Sequence, residues 1–247
     1  MTIIKNFAQE ITQLHGKIKR CRNCYMYTTK GRRLIDMYQE GGRAILGWSF
    51  GKAKLTFKNL LDRSLTGSFE SAYTCGLVKA VLSLMPHFSF VCVCSKNSLP
   101  KDLPLWRPWQ ESFVSTDIAE VLIPFPWAGD YALVVYTENY KGIIPESLVI
   151  PPVLSCAIAR SFYDLAQELK NRSEEDFSLY DDILSLYFRR EGPYLYPLVS
   201  SDNYKDFFKH CLQQGLLISP DYAIPSVVPF GADKGVFSQL KRNPYDR

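Results

Sequence analysis

The apolar positions divide the chain into stretches of helical and of extended periodicity. Ile4, Phe7, Ile11 and Leu14 recur at helical spacing, which predicts an amphipathic helix over residues 3–15. Tyr25 and Tyr27 then alternate with polar neighbours up to the turn signal Thr29-Lys30-Gly31-Arg32. Leu34–Met37 supplies a return strand, so 24–37 reads as a hairpin. After breaks at Gly41, Gly42 and Gly47, helices are predicted over 52–62 and 69–84. Phe69, Tyr73, Leu77, Ala80 and Leu84 line the second, and Pro86 stops it. Phe88–Cys94, Val121–Ile123 and Ala132–Tyr136 read as short strands, and Ser95–Trp109 as a loop. Beyond Pro151-Pro152 a long helix buries Leu154, Ala157, Ile158, Phe162, Leu165 and Leu169. A helix over 176–188, a strand Tyr194–Val199, a helix Tyr204–Gln214 closed by Gly215, and a strand Leu216–Ile218 follow. A short helix near 233–241 ends the series. The class is α/β or α+β.

Composition narrows the picture by exclusion. With 15 Tyr, 15 Phe and 4 Trp in 247 residues, general disorder is excluded. The longest apolar runs, Phe88–Cys94 and Ala132–Tyr136, are strand-sized and far short of the ~20 residues a membrane helix needs. The first twenty residues carry Lys5 and Glu10 inside their only apolar face, which does not suit a signal peptide, so a cytoplasmic location is expected. Seven cysteines, an odd number, then read as free thiols in a reducing compartment. Cys21-x-x-Cys24 lacks two further ligands at matching spacing, so no metal is expected.

The charge balance is a mild +4, concentrated at Lys17–Arg22 and Lys52–Arg63. The ordinary reading of such runs is a solvated face, and a nucleic-acid partner is not expected. An anion contact through Lys52, Lys54, Lys58 and Arg63 is the alternative. No nucleophile elbow, P-loop or G-x-G-x-x-G is present. Gly47-Trp48-Ser49-Phe50-Gly51-Lys52 precedes a helix and reads as a helix-start turn, with an anion cradle as the sharper alternative. The carboxylates Glu174-Glu175-Asp176 and Asp181-Asp182 suit the first turns of helices, where they complement the dipole.

Several segments, in order, resemble the class III aminotransferases. The hairpin Tyr25–Met37, followed by Gly41-Gly42 and Leu46-Gly47-Trp48, is similar to the family's N-terminal hairpin with its later glycine and L-G-H. Ile150-Pro151-Pro152-Val153-Leu154-Ser155-Cys156-Ala157-Ile158-Ala159 resembles its N-P-L-A-x-A-A-A helix start. Gly192–Tyr196 through Gly215–Pro220 is similar to the strand–helix–strand of its small domain, and Ile224–Pro229 falls where the last strand is found. Together these cover about half the chain.

The resemblance implies an α/β protein with a reduced fold-type I aminotransferase-like core. A discontinuous α+β small domain from 1–50 and 153–247 would surround a shortened remnant of the large cofactor domain at 51–152, built on a parallel sheet. The family's pyridoxal phosphate chemistry calls for a lysine, an acidic partner for the ring nitrogen and an arginine for the substrate carboxylate. Ser226-Val227-Val228-Pro229 contains no arginine. Lys141 is the one lysine between a sheet strand and the Pro-Pro helix, with Glu138 as the acidic candidate; the ordinary reading of Lys141 is a surface lysine on a loop.

The expectation is therefore an aminotransferase-like protein without pyridoxal phosphate chemistry, needing no cofactor and acting by binding or assembly. The alternative is a transferase using Lys141 as its Schiff-base lysine. The resemblance also implies a homodimer, for which Gly41–Phe50 is the candidate contact. Ser95-Lys96-Asn97-Ser98 stands where the family's phosphate loop begins a helix. Pro100 and Pro104 argue that 95–105 is irregular here and that the phosphate is not held. Trp106-Arg107-Pro108-Trp109 is open between a recognition surface and a packed connection.

Overall fold

The computed structural model describes residues 2–49, 51–73, 76–100, 102–110 and 116–246. They divide into two compact units: Met1–Ser49 with Arg172–Arg247, from the two ends of the chain, and Phe50–Asn171. The terminal unit opens with α1 (Thr2–His15), β1 (Ile18–Arg22), β2 (Tyr25–Thr28) and β3 (Arg33–Asp36). β2 and β3 form the expected hairpin, with Tyr25 opposite Ile35 and Met26 opposite Leu34. Gly31 takes φ +73 in its turn, which only glycine does without cost. Where the sequence showed a basic run at Lys17–Arg22, β1 pairs antiparallel with β2. Its side chains are almost all exposed, so no apolar alternation marks it. Charge on an edge strand opposes pairing with another chain, and the Arg20 guanidinium stacks 4.5 Å from the Tyr27 ring centre.

The central unit contributes α2 (Ala53–Leu61), α3 (Leu77–Leu84), β4 (Phe90–Ser95), β5 (Leu105–Trp106), β6 (Ile118–Val121), β7 (Tyr131–Tyr136) and α4 (Pro152–Asn171). Its sheet runs β4-β7-β6-β5. The expected parallel sheet is corrected: β4 and β6 both lie antiparallel to β7, and β5 alone runs parallel to β6. The cause is the connection 122–130, which holds no helix and returns the chain directly, whereas a parallel neighbour needs a crossover. α4 packs along α2 and α3. α3 is shorter than the predicted 69–84. It starts after Gly76, which sits at φ +59, and Phe69 and Tyr73 are exposed.

The chain re-enters the terminal unit through α5 (Glu174–Ser178), α6 (Asp181–Leu184), β8 (Phe188–Glu191), β9 (Tyr194–Pro197), α7 (Tyr204–Gln213), β10 (Leu216–Leu217), β11 (Ser226–Val227) and α8 (Ser238–Arg242). The helix predicted over 176–188 is two short helices. Tyr180 interrupts them, buried and donating its hydroxyl to the Ala232 carbonyl at 2.6 Å. Arg190 then clamps the pair, bidentate on Asp181 and in contact with Glu174.

β10 joins the hairpin sheet in parallel, Leu216 beside Ile35 and Leu217 beside Asp36, giving the order β1-β2-β3-β10. This pairing ties the two ends of the sequence into one core around Leu34, Met37, Phe207, Leu212 and Leu216, all at most 2% exposed. Each such side chain contributes roughly 1.5–3 kcal/mol of burial. α7 ends as predicted at Gly215, whose φ of +82 turns the chain into β10. A second sheet, β11-β9-β8, completes this unit. The fold is α/β. Among the described residues no helix is long and apolar enough to cross a membrane.

Candidate functional site

The segment leaving β4 is where the resemblance places a phosphate loop, and several of its donors are already in use. The Ser95 hydroxyl and the Asn97 side-chain amide both donate to the same oxygen of Asp130, each at 2.7 Å. The Asn97 N–H turns back to the Ser95 hydroxyl, and the Ser98 hydroxyl donates to the Ser95 carbonyl. Lys96–Ser98 form one turn of 3-10 helix, and Leu105–Trp106 a short strand, which corrects the expectation that 95–105 is wholly irregular. No α-helix begins there. A single 3-10 turn lacks the row of aligned N–H groups that a phosphate needs. At this turn the Asp130 carboxylate already holds two of the donors a phosphate would use, and two anions repel.

Lys141 and Glu138 both lie exposed in the turn-rich segment after β7. Burial ends just before them, at Thr137, whose hydroxyl donates to Asp117 at 2.7 Å. A lysine in open solvent has no apolar wall to shape its reactivity.

The glycine-flanked turn before α2 is a helix start whose anion is internal. The backbone N–H groups of Lys52 and Ala53 donate to one carboxylate oxygen of Asp164, at 2.8 and 3.2 Å. Arg160 holds the other oxygen through Nε at 3.1 Å and Nη2 at 2.9 Å. Asp164 reaches the turn from α4 and satisfies N–H groups that a helix leaves unpaired. Nothing in its local sequence marked it, except its place four residues after Arg160 on one helix face. Lys54 and Lys58 are exposed.

The terminal unit buries a separate polar cluster at the end of β3. Asp36 is fully buried; it accepts the Gln39 N–H at 2.8 Å and the Trp48 indole N–H at 2.7 Å. Burial raises its carboxyl to about 6, against the pull of those two donors. Gln39 and Glu40 sit at φ +49 and +52, left-handed positions that non-glycine residues seldom take. Gln39 donates to the Val228 carbonyl at 3.4 Å, while its amide oxygen is buried with no hydrogen-bond partner among the described residues. Ser226–Pro229 is used structurally: the Ser226 hydroxyl accepts the Ser219 N–H, and the Val227 and Val228 N–H groups bond Met37 and Pro193. The arginine of this region comes from elsewhere in the sequence. Arg172 is buried, donates to the Ile45 carbonyl at 3.2 Å and lies 3.9 Å over the Phe230 ring. In the proposed dimer contact, Ala44, Ile45 and Leu46 are buried within the chain itself, and Phe50 lies outside the described residues.

The cysteines divide differently from expectation. Cys21, Cys24, Cys92, Cys94 and Cys211 are free. Cys156 is disulfide-bonded, which corrects the expectation of seven free thiols, and Cys75 lies outside the described residues. Burial raises Cys21 and Cys24 to about 11, so both favour the protonated form. Among the described residues no group of three or more metal-ligating side chains is found.

No protein-family model matches the sequence. An uncharacterized protein of Treponema pallidum is 27% identical over 284 residues, spanning 90% of this chain and 92% of its own. One of Borreliella burgdorferi is 25% identical over 243 residues, spanning 91% and 88%. Among solved structures, the ornithine aminotransferase of Plasmodium yoelii superposes with a TM-score of 0.64 at 11% identity, over 98% of this chain and 97% of that one. The N-acetylornithine aminotransferase of Stenotrophomonas maltophilia gives 0.64 at 13% identity, over 94% and 96%. The acetylornithine aminotransferase of Elizabethkingia anophelis gives 0.62 at 11%, over 94% and 96%. The chain thus has the fold of these aminotransferases, at identities that speak to fold alone.

Proposed function

We propose that this chain uses an aminotransferase fold for binding or assembly and carries out no pyridoxal phosphate chemistry. The observation that carries the reading is the Asp130 carboxylate, hydrogen-bonded to Ser95 and Asn97 at the end of β4. A phosphate brought to that turn would have to displace a fixed negative charge and would gain no helix N-terminus in return. The exposed position of Lys141 supports the same reading, since a covalent lysine works from a site that excludes water and sets its protonation.

The test is spectroscopic. Pyridoxal phosphate mixed with the purified full chain is expected to give no visible absorbance band that persists through gel filtration. A persistent band at one cofactor per chain, abolished by Lys141→Ala, would establish the transferase reading instead.

A further inference from the structure

The β1-β2-β3 sheet of the terminal unit gathers a strip of basic side chains from two separate stretches of sequence. Lys17, Lys19, Arg20 and Arg22 come from β1 and its approach. Lys30, Arg32 and Arg33 come from the β2–β3 turn and the start of β3. All seven are exposed. We propose that this strip binds single-stranded nucleic acid along its phosphate backbone. The inference rests on the binding reading above and names the class of partner.

Strand pairing is what joins the two stretches. Arg20 stands opposite Tyr27, and Tyr27 opposite Arg33, so one row across three strands reads Arg-Tyr-Arg on a single face. Arg22 stands opposite Tyr25, two positions along and on the same face. The Arg20 guanidinium rests 4.5 Å from the Tyr27 ring centre and that of Arg33 4.6 Å from the Tyr25 ring centre, so each is backed by a ring. At the turn end the Thr29 N–H donates to the Lys17 carbonyl, which sets Lys17 next to the turn that holds Lys30 and Arg32. The five steps from Lys17 to Arg22 make a track of roughly 17 Å.

The charge is local to this face. No Asp or Glu occurs between Ile11 and Ile35, and seven positive charges exceed the chain's net +4, so the rest of the molecule is net acidic. Among the described residues Arg33 alone of the seven forms an ion pair, with exposed Asp233 at 3.4 Å, and Lys30 donates to the Gln13 carbonyl at 3.0 Å. A row of charges left without counter-charges suits a polyanion, whose own repeat supplies one phosphate after another. Four of the seven are arginines, and a guanidinium plane backed by a tyrosine ring is a surface on which a base can stack. That favours a nucleic acid over a lipid surface, which offers such a strip headgroup charge alone. A face three strands wide suits a single strand, whereas a duplex groove is entered by a protruding helix or ribbon.

Fluorescence anisotropy of a labelled oligothymidylate of about 15 nucleotides, titrated with the full chain, tests this. No aldehyde enters the assay, so its outcome is separate from that of the pyridoxal phosphate titration. Binding is expected with a dissociation constant of about 1–10 μM at about 50 mM salt, weakening roughly fiftyfold at about 200 mM, as about four phosphate contacts require. Lys19→Gln, Arg22→Gln and Arg32→Gln combined spare both ring stacks; they are expected to weaken binding at least about tenfold and to flatten the salt slope, with the circular dichroism spectrum unchanged. The charge-matched set Lys52→Gln, Lys54→Gln and Lys58→Gln, in the other unit, is expected to leave the affinity within about twofold. No binding up to about 100 μM chain, a flat salt response, or equal losses in both sets would overturn the assignment. A duplex of the same length bound as tightly would overturn the single strand, and sedimentation with phosphatidylserine vesicles without oligonucleotide binding would assign the strip to a membrane in place of nucleic acid.

Discussion

The Asp164 carboxylate lies 2.8 Å from the backbone nitrogen of Lys52 and closes the N-terminus of α2 from a helix more than a hundred residues away in sequence. The same carboxylate occupies the space a side chain at Gly51 would need, and Gly51 sits at φ +63. Gly51→Ala is therefore expected to destabilise the chain by about 2–4 kcal/mol, from left-handed strain plus overlap with the carboxylate. Asp164→Ala should cost about 2–3 kcal/mol, since it strands two N–H groups and a guanidinium. Asp164→Asn, which keeps an acceptor, should cost about half as much. Thermal unfolding by circular dichroism orders the three. Equal losses for Asp164→Asn and Asp164→Ala would deny the acceptor its role.

Asp36 makes a prediction about pH. Its folded carboxyl is raised to about 6, above the ordinary carboxylate range near 4, by complete burial. The fold thus binds the proton more tightly than the unfolded chain does. Its stabilising contribution is full below about pH 4 and is lost as pH rises through about 6. Relative to Asp36→Asn, the wild type should lose stability between those values with a slope approaching 1.4 kcal/mol per pH unit. Trp48→Phe removes one donor to the carboxylate and should move the upper edge of that window higher. Parallel pH profiles for wild type and Asp36→Asn would contradict this.

The thiols give a third expectation. Cys24, Cys92, Cys94 and Cys211 are all at most 6% exposed, and burial lifts Cys24 to about 11 and Cys94 to about 12. In the native protein at pH 8 they should resist a colorimetric thiol reagent and react only on unfolding in denaturant. Half-buried Cys21, raised to about 11, should react slowly. Rapid native reaction of two or more thiols would contradict the packing around β2, β4 and α7.

The sequence made some of this legible because local signals coincided with tertiary outcomes. Gly31 and Gly215 marked turns that the fold uses, and the apolar face beginning at Leu154 predicted α4. What periodicity could not carry was the partner of each strand. β1 hid because an edge strand with solvated arginines has no apolar alternation. The antiparallel sense of β4 and β6 against β7 depended on how the chain returns between strands, a topological fact rather than a local one. The site residues were harder still. Asp130 and Asp164 act on backbone and side chains 33 to 112 positions away, and no spacing rule connects an aspartate in a turn or on a helix with a distant N–H group. Arg172 lies over Phe230 although it is more than fifty residues away in sequence, so nothing within Ser226–Pro229 points to it.

Asp130 offers a focused check on the β4 turn. Asp130→Ala removes the acceptor shared by half-buried Ser95 and exposed Asn97 and is itself exposed, so the cost in stability should be small, about 1 kcal/mol or less. A loss of several kcal/mol in thermal unfolding would make that carboxylate a core element rather than the closure of a surface turn.

We propose that the aminotransferase fold works here without a lysine-bound cofactor. Its most direct measurement is borohydride reduction of the full chain incubated with pyridoxal phosphate, followed by peptide mass analysis. Lys141 is expected to be labelled no more than other exposed lysines such as Lys54 and Lys58, and at well below one cofactor per chain. Stoichiometric, selective labelling of Lys141 would contradict it.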